Sequence, residues 1–168
     1  MTQNNAPRLL LAGTGSGCGK TTVTTAILRA LQRRGVTLSA FKCGPDYIDP
    51  MFHTAVLGVP SRNLDLFFED EAGIRSQLAR HIQPDGLGVI EGVMGFYDGL
   101  GGVSERSSAW EVADLTDTPV ILLVDMMGRS LSALASIKGF LDYKEKSHVT
   151  GVVFNRLSPM LYPGLKER

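Results

Sequence analysis

A glycine-rich loop between an apolar run and an amphipathic stretch constrains this chain more than any other feature. The apolar residues 8–12 predict a buried strand, and residues 20–34 follow a helical pattern. Between them, positions 13–22 read GTGSGCGKTT. Glycines let backbone N–H groups turn toward a polyphosphate, and a helix N-terminus adds partial positive charge. The segment therefore predicts a phosphate-binding loop.

Lys20 of this loop can reach the β- and γ-phosphates of a nucleotide, and the Thr21 hydroxyl can bind Mg²⁺. The strict spacing would require glycine where the chain has Thr14; Gly13 stands one position earlier, so the loop is a variant. The alternative is a glycine-rich turn that binds nothing, but a Gly-Lys-Thr-Thr ending between strand and helix favours nucleotide binding. We expect eight residues to contact the nucleotide: Gly15, Ser16, Gly17, Cys18, Gly19, Lys20, Thr21 and Thr22.

Length and charge narrow the class of protein. The 168 residues suit one domain, and 17 basic residues balance 17 acidic ones, which argues against a nucleic-acid or membrane-surface binder. The polar start lacks the apolar core of a signal peptide, and no apolar run reaches the ~18 residues of a membrane span. Two cysteines, Cys18 and Cys43, are too few for a disulfide framework. We expect a cytoplasmic protein.

Apolar runs alternate with helical patterns along the chain. Continuous apolar character, rather than alternation, predicts strands buried on both faces of a parallel sheet. We therefore predict an α/β three-layer sandwich with a mostly parallel central sheet and with ligands at the carboxyl ends of the strands. Predicted strands cover 9–13, 38–43, 87–91, 120–125 and 149–155, and predicted helices cover 20–34, 71–81, 107–117 and 130–144. Ser107, Ser108 and Ser130 are the expected helix N-caps.

Two acidic segments follow predicted strands. After the second strand, Asp46 could hold Mg²⁺ and Lys42 could neutralise phosphate charge, although a turn shaped only by Asp and Pro is an equal alternative. The third strand ends at Glu91, the expected second Mg²⁺ ligand, and Asp98 follows in a glycine-rich loop. The alternative for Glu91 is a solvated side chain, but carboxylates gather at such strand-end clefts.

The last predicted strand ends in Asn155 and Arg156. An amide both donates and accepts hydrogen bonds, so Asn155 can pair with a nucleotide base, with Arg156 beside it. The Asn-Lys-x-Asp pattern typical of guanine binders is not present, which favours adenine and hence ATP. His53, His81 and His148 show no metal-binding spacing, and we expect surface or hydrogen-bonded histidines there.

Four segments together resemble one family. They are residues 13–22, 41–50 (FKCGPDYIDP), 91–99 (EGVMGFYDG) and 153–156 (VFNR). From about residue 7 to 157 the chain resembles the ATP-dependent synthetase domain of the cobyrinic acid a,c-diamide synthases, P-loop proteins of the dethiobiotin synthetase type. The resemblance implies ATP-dependent amidation of the c- and then the a-carboxylate of cobyrinate in cobalamin biosynthesis, through an acyl phosphate. It also implies ammonia from glutamine, hydrolysed in a separate glutaminase domain.

The resemblance assigns roles to particular residues. It implies Mg²⁺ bound by Thr21, Asp46 and Glu91. It also implies a catalytic set, Lys20, Lys42, Asp46, Asp49, Glu91 and Asp98, and a substrate-contacting set, Tyr47, Tyr97, Asp98 and Ser107. Hydrogenobyrinate and nickel sirohydrochlorin are alternative substrates, and relatives commonly form homodimers.

The chain departs from the family pattern at its end. We interpret residues 1–168 as one synthetase domain, truncated at its C-terminus and without a glutaminase domain, so we expect no glutamine-dependent activity from this chain alone. Two alternatives remain. A ParA/MinD-like switch ATPase would carry a lysine where this chain has Gly15. A non-catalytic nucleotide-binding module is the other.

Overall fold

The structure is a computed structural model that describes residues 6–168. Thirteen elements are formed in that range. The strands are β1 Arg8–Gly13, β2 Leu38–Cys43, β3 Ser61–Leu64, β4 Leu87–Glu91, β5 Val120–Asp125 and β6 Val149–Asn155. The α-helices are α1 Lys20–Arg33, α2 Ile48–Leu57, α3 Glu71–His81, α4 Ala109–Thr116, α5 Ala133–Asp142 and α6 Tyr162–Lys166, with a 3₁₀ turn at Leu100–Gly102.

The six strands form one parallel sheet in the order β3-β2-β4-β1-β5-β6. Successive β1 residues belong to opposite faces: Leu10 packs in one core and Leu11 in the other. Helix α1 covers the Leu11 side through Leu28, whereas α3 covers the Leu10 side through Ile74. Both faces of the sheet are therefore covered by helices, as the continuous apolar strands predict. The three-layer α/β prediction is confirmed.

Most predicted elements are present with similar bounds, whereas α2 and β3 lie in a stretch for which the sequence predicted neither. Helix α2 contains Pro50, which is tolerated because it stands in the first turn. Its Ile48 and Met51 are exposed, so no apolar face indicates a helix. Strand β3 reads Ser-Arg-Asn-Leu and forms the edge of the sheet, where a polar strand is possible.

The two expected helix starts have different outcomes. Ser108 is the N-cap of α4, since its hydroxyl accepts a hydrogen bond from the Glu111 N–H at 3.1 Å. The Ser130 prediction was wrong, because α5 begins at Ala133 after a turn in which the Ala133 N–H donates to the Ser130 carbonyl.

Across residues 6–168, none of the helices has both the length and the apolar character that crossing a bilayer requires. The polar start at positions 1–5 lies outside the described residues.

Candidate functional site

The loop from β1 to α1 is closed by two glycines whose positions exclude a side chain. Gly19, the N-cap of α1, has φ of 98°, and a Cβ there would overlap the Asn155 amide. A Cβ on Gly13 would overlap Cys18 Sγ. The strict motif has glycine at position 14. Thr14 is tolerated there because the close approach falls one residue earlier, at Gly13. The first turn of α1 lacks intrahelical acceptors for its N–H groups, and such a helix start suits a phosphate.

Lys20 lies across this loop and is nearly buried. Its Nζ donates hydrogen bonds to the carbonyls of Gly15, at 2.9 Å, and of Met94. Burial lowers the pKa of Lys20, and the nearby Lys42 charge adds to that effect. Both acceptors are uncharged carbonyls, so the ammonium charge remains available to a phosphate.

A compact polar cluster lies beside the loop; we call Thr21, Lys42, Asp49 and Glu91 the Lys42 cluster. Lys42 of β2 and Glu91 of β4 are register partners on neighbouring strands, and Lys42 Nζ lies 2.8 Å from Glu91 Oε1. The same Nζ lies 2.7 Å from Asp49 Oδ2. The Thr21 hydroxyl donates to Glu91 Oε1 at 2.7 Å and lies 3.3 Å from Asp49 Oδ2. The carboxyl ends of β2 and β4 and the starts of α1 and α2 thus bring four side chains to one point.

Burial and charge act against each other in this cluster. Burial alone would lower the pKa of Lys42, but Glu91 and Asp49 outweigh it and raise that pKa. Burial alone would raise the pKa of Asp49, but the hydrogen bond and charge of Lys42 lower it. Burial raises the pKa of Glu91, against the opposing effect of Lys42. Lys42 is therefore a firmly protonated lysine, and Asp49 is an ionised carboxylate near pH 7.

Asp46 contacts the start of α2. Its Oδ1 accepts hydrogen bonds from the N–H groups of Ile48, at 2.9 Å, and Asp49, at 3.2 Å. Its Oδ2 lies 3.7 Å from Lys42 Nζ. The structure thus brings Asp49, rather than Asp46, to the Thr21 hydroxyl. Asp46 as a magnesium ligand stays a prediction.

The donor set of the Lys42 cluster suits a hard cation. Thr21, Asp49 and Glu91 offer oxygen atoms, which Mg²⁺ prefers. Within residues 6–168, no three His, Cys, Asp or Glu side chains form a metal site by themselves. Magnesium is usually bound by one or two protein carboxylates together with substrate phosphates, so this set beside a phosphate loop fits that ion.

The loop after β4 is hydrogen bonded to the phosphate loop. The Phe96 N–H donates to the Gly13 carbonyl at 2.9 Å, and Met94 accepts from Lys20 as described above. Asp98 Oδ2 accepts from the Gly95 N–H at 2.8 Å, which closes the turn. Burial lowers the pKa of Lys20, and the negative charge of Asp98 opposes a part of that effect.

Three proposed substrate residues, Tyr97, Asp98 and Ser107, lie outside the Lys42 cluster. The Tyr97 hydroxyl donates to the Phe140 carbonyl at 2.7 Å, its ring packs among aromatic side chains, and burial raises its pKa to about 12. Tyr97 and Asp98 line an open groove of about 380 Å³ beside α5. The Ser107 N–H donates to a Glu111 carboxylate oxygen, and the Ser107 hydroxyl is buried. Their substrate roles stay predictions.

Tyr47 is different, because its side chain is exposed. It stands immediately before α2, and Ile48 and Met51 are exposed beside it. Tyr47 and Asp46 line a second open groove, of about 430 Å³, along the β3 edge of the sheet.

The end of β6 contacts the phosphate loop. Asn155 Nδ2 donates to the Cys18 carbonyl at 2.8 Å. Arg156 donates to the Gly17 carbonyl at 3.2 Å and forms an ion pair with Asp125. Both side chains therefore contact the loop backbone, and the recognition of adenine by Asn155 stays a prediction.

His53 was predicted to be a surface or hydrogen-bonded histidine, and its position beside Glu91 was not predicted. It is fully buried on α2, with Nδ1 3.3 Å from Ser61 Oγ and Nε2 3.9 Å from Glu91 Oε2. Burial lowers its pKa, so the ring is neutral near pH 7. Asp49 and His53 stand four positions apart and share a face of α2, a relationship that only recognition of this helix would reveal.

The protein-family model CbiA, described as "CobQ/CobB/MinD/ParA nucleotide binding domain", matches residues 9–167 of this chain. The chain belongs to this family. Among curated proteins, it is 41% identical over 150 residues to the cobyrinate a,c-diamide synthase of Priestia megaterium. This alignment covers 89% of the present chain and 33% of that protein. It is 45% identical over 152 residues to the enzyme of that name from Listeria monocytogenes, covering 90% and 34%. The chain thus spans about a third of the length of these relatives.

Two solved structures of FtsY proteins share the fold of this chain. Chloroplast FtsY from Physcomitrella patens aligns with a TM-score of 0.67 at 15% identity, over 98% of this chain and 54% of that chain. The signal recognition particle receptor FtsY from Elizabethkingia anophelis gives 0.61 at 15% identity, over 90% and 50%. At such identity the likeness concerns the fold alone.

Proposed function

We propose that this chain is the ATP-binding synthetase part of a cobyrinate a,c-diamide synthase. The observation that carries the proposal is the Lys42 cluster beside the phosphate loop. Its buried lysine lies between Asp49 and Glu91, and the Thr21 hydroxyl lies within hydrogen-bond distance of both carboxylates. The names of the curated relatives support the same function. The reaction is ATP-dependent amidation of the c- and a-carboxylates of cobyrinate.

The chemistry brings several anions together. A substrate carboxylate oxygen attacks the γ-phosphorus of ATP, ADP leaves, and ammonia then displaces phosphate from the acyl phosphate to give an amide. Lys20 and Lys42 offset the charge of the phosphates and of the attacking carboxylate. Magnesium supplies further charge neutralisation when it is bound. Thr21 and Glu91 are its proposed ligands, with Asp46 as the sequence predicted, or with Asp49, which the geometry favours.

The substrate side is proposed from exposure and position. Tyr47 and its exposed apolar neighbours offer a flat macrocycle a surface next to Asp49. Asp98, Tyr97 and Ser107 complete the proposed contacts, and cobyrinate is preferred over hydrogenobyrinate or nickel sirohydrochlorin. Contacts from Asn155 and Arg156 to adenine belong to the same proposal.

The wider context is proposed on the same basis. The curated relatives are about three times as long as this chain, which supports a glutaminase domain as the ammonia source in the whole protein. Cys18 and Cys43 are free and buried, which supports the cytoplasm. A homodimer stays a prediction from the resemblance, and the absence of nucleic-acid and membrane partners stays a prediction from the charge balance.

The test is ADP formation from ATP and Mg²⁺, with ammonium chloride as nitrogen source, in the presence and absence of cobyrinate. We expect cobyrinate-dependent ADP and a loss of about 100-fold or more in Lys42→Met, because a buried charged donor is removed from the phosphate site. Lys138→Met, which removes an exposed lysine of α5, is the matched control. ADP formation that ignores cobyrinate would favour a switch ATPase, and nucleotide binding without any ADP would favour a non-catalytic module.

A further inference from the structure

We propose that His53 is a positioning residue for Glu91. Its ring directs Nε2–H at Glu91 Oε2 and thereby keeps Oε1 toward Thr21 and Lys42. The function of Glu91 in binding the cation is taken from the proposed function, whereas the hydrogen-bonding arrangement stands on geometry alone.

The two facing atoms are unusual for a protein interior. His53 Nε2 and Glu91 Oε2 are both fully buried, and neither has a hydrogen-bond partner among the described residues. They lie 3.9 Å apart, slightly beyond normal hydrogen-bond distance. Buried polar atoms are rarely left unpaired, because lost hydration is not replaced. A shift of about 1 Å brings the two atoms within normal hydrogen-bond distance.

The neighbours of the ring select its tautomer. Glu91 Oε1 accepts from both the Thr21 hydroxyl and the Lys42 ammonium, so Oε2 is the oxygen left without a donor. Against Oε2 as an acceptor, an unprotonated Nε2 would place two lone pairs face to face. The ring proton therefore belongs on Nε2, and Nδ1 is left as the acceptor of the Ser61 hydroxyl at 3.3 Å.

This arrangement has a consequence for the Lys42 cluster. A carboxylate held through only one oxygen can rotate about its last bond, whereas a hydrogen bond to each oxygen fixes the plane of the group. Ser61, His53 and Glu91 thus form a chain from the edge strand to the proposed cation site. Removal of such supporting groups typically weakens metal binding by about 10- to 100-fold.

The first test requires neither metal nor activity. A long-range ¹H–¹⁵N NMR spectrum of the protein labelled with ¹⁵N-histidine reports which ring nitrogen carries the proton. We expect the Nε2–H form for His53, and we expect Glu91→Gln to shift the His53 Nε2 resonance while leaving His81 unchanged. A proton on Nδ1, or a His53 resonance insensitive to Glu91→Gln, would overturn the proposal.

The second test measures the Mg²⁺ concentration that gives half-maximal binding of a fluorescent ATP analogue. We expect His53→Leu to raise it about 10- to 100-fold with metal-free nucleotide affinity unchanged, and His53→Gln to restore most of the loss, because its amide N–H reaches a similar position. His81→Leu, also in a helix, is the control. Should His53→Leu fail to fold, His53→Gln and the NMR spectrum of the unmodified protein decide the question.

The outcomes separate this proposal from the proposed function. An unchanged Mg²⁺ requirement in folded His53→Leu would overturn the positioning role alone. If the unmodified protein bound the analogue with no dependence on Mg²⁺, the proposed function would fail, and the NMR result would still decide the hydrogen bond.

Discussion

Lys42 shows how much one residue decides in this protein. Its ammonium group faces Asp49 at 2.7 Å, Glu91 at 2.8 Å and Asp46 at 3.7 Å. A buried charge is tolerated only when it is paired, so Lys42 needs these neighbours. Three carboxylates around one ammonium nevertheless leave an excess of negative charge when all are ionised. A phosphate arriving without a cation would be repelled, and nucleotide binding should therefore depend on a divalent ion.

Gly19 gives a second test at the residue scale. Gly19→Ala combines a left-handed φ of 98° with a Cβ that overlaps the Asn155 amide. We expect a loss of about 2–6 kcal/mol in the free energy of unfolding, because each of the two effects costs about 1–3 kcal/mol. Urea unfolding measures it.

Gly15→Ala is the matched control, since the space at Gly15 is open and its φ is not positive. In Gly19→Ala/Asn155→Ala, the overlap is removed and the backbone strain remains, so part of the loss should return. Equal stability of Gly19→Ala and Gly15→Ala would contradict the tight closure of the loop.

At the scale of elements, the sequence predicted what depends on burial and periodicity. The bounds of β2, β4, β5, β6 and α3 agree with the expected ranges, because each is a continuous apolar run or a capped helix. Their carboxyl ends placed Glu91 and Lys42 near the phosphate loop without further information. Helix α2 could not be found in the same way, since most of its apolar residues, such as Ile48, Met51 and Val56, are exposed. The sequence therefore left both a surface and a hydrogen-bonded position open for His53, and its burial follows from α2.

The start of α2 allows two functions of Asp46 to be separated. Its Oδ1 accepts the first N–H groups of the helix, so Asp46→Ala should cost about 0.5–2 kcal/mol of stability. Asp46→Asn keeps an acceptor at the same position and should retain most of that stability. If Asp46 also binds Mg²⁺, both variants will weaken Mg²⁺-dependent ATP binding.

Asp70 is the control for this prediction, because it caps α3 through the Gly73 N–H at 2.8 Å. Asp70→Ala should lower stability to a similar extent and leave ATP binding unchanged. Unaltered Mg²⁺ dependence in Asp46→Asn would assign Asp46 to the helix alone and leave Asp49 as the carboxylate on the α2 side.

At the scale of the whole molecule, the loops of the parallel sheet form two groups. Those at the carboxyl ends of the strands form what we call the carboxyl edge, and those at the amino ends form the opposite edge. The carboxyl edge carries the phosphate loop, which is hydrogen bonded to the β4 loop through Phe96 and to β6 through Asn155. The opposite edge carries the short connections 83–86 and 117–119; the Gln83 N–H donates to the Ser39 hydroxyl of β2, and the Pro119 carbonyl accepts from the Leu10 N–H of β1. A nucleotide at the carboxyl edge would therefore contact segments that already hold several strands together.

The last prediction follows from this division. At a concentration 100 times its Kd, ATP with Mg²⁺ should stabilise the fold by about 2.7 kcal/mol, because it binds only the folded state. Hydrogen–deuterium exchange should then slow in the segments 14–19, 44–47 and 92–99. Exchange at 83–86 and 117–119 should slow only as far as the stabilisation of the whole fold requires. Lys20→Met, which removes the phosphate-binding ammonium, is the control and should lose most of the local protection. Protection spread evenly over both edges would show that the nucleotide acts on global stability alone, and would contradict a site confined to the carboxyl ends of the strands.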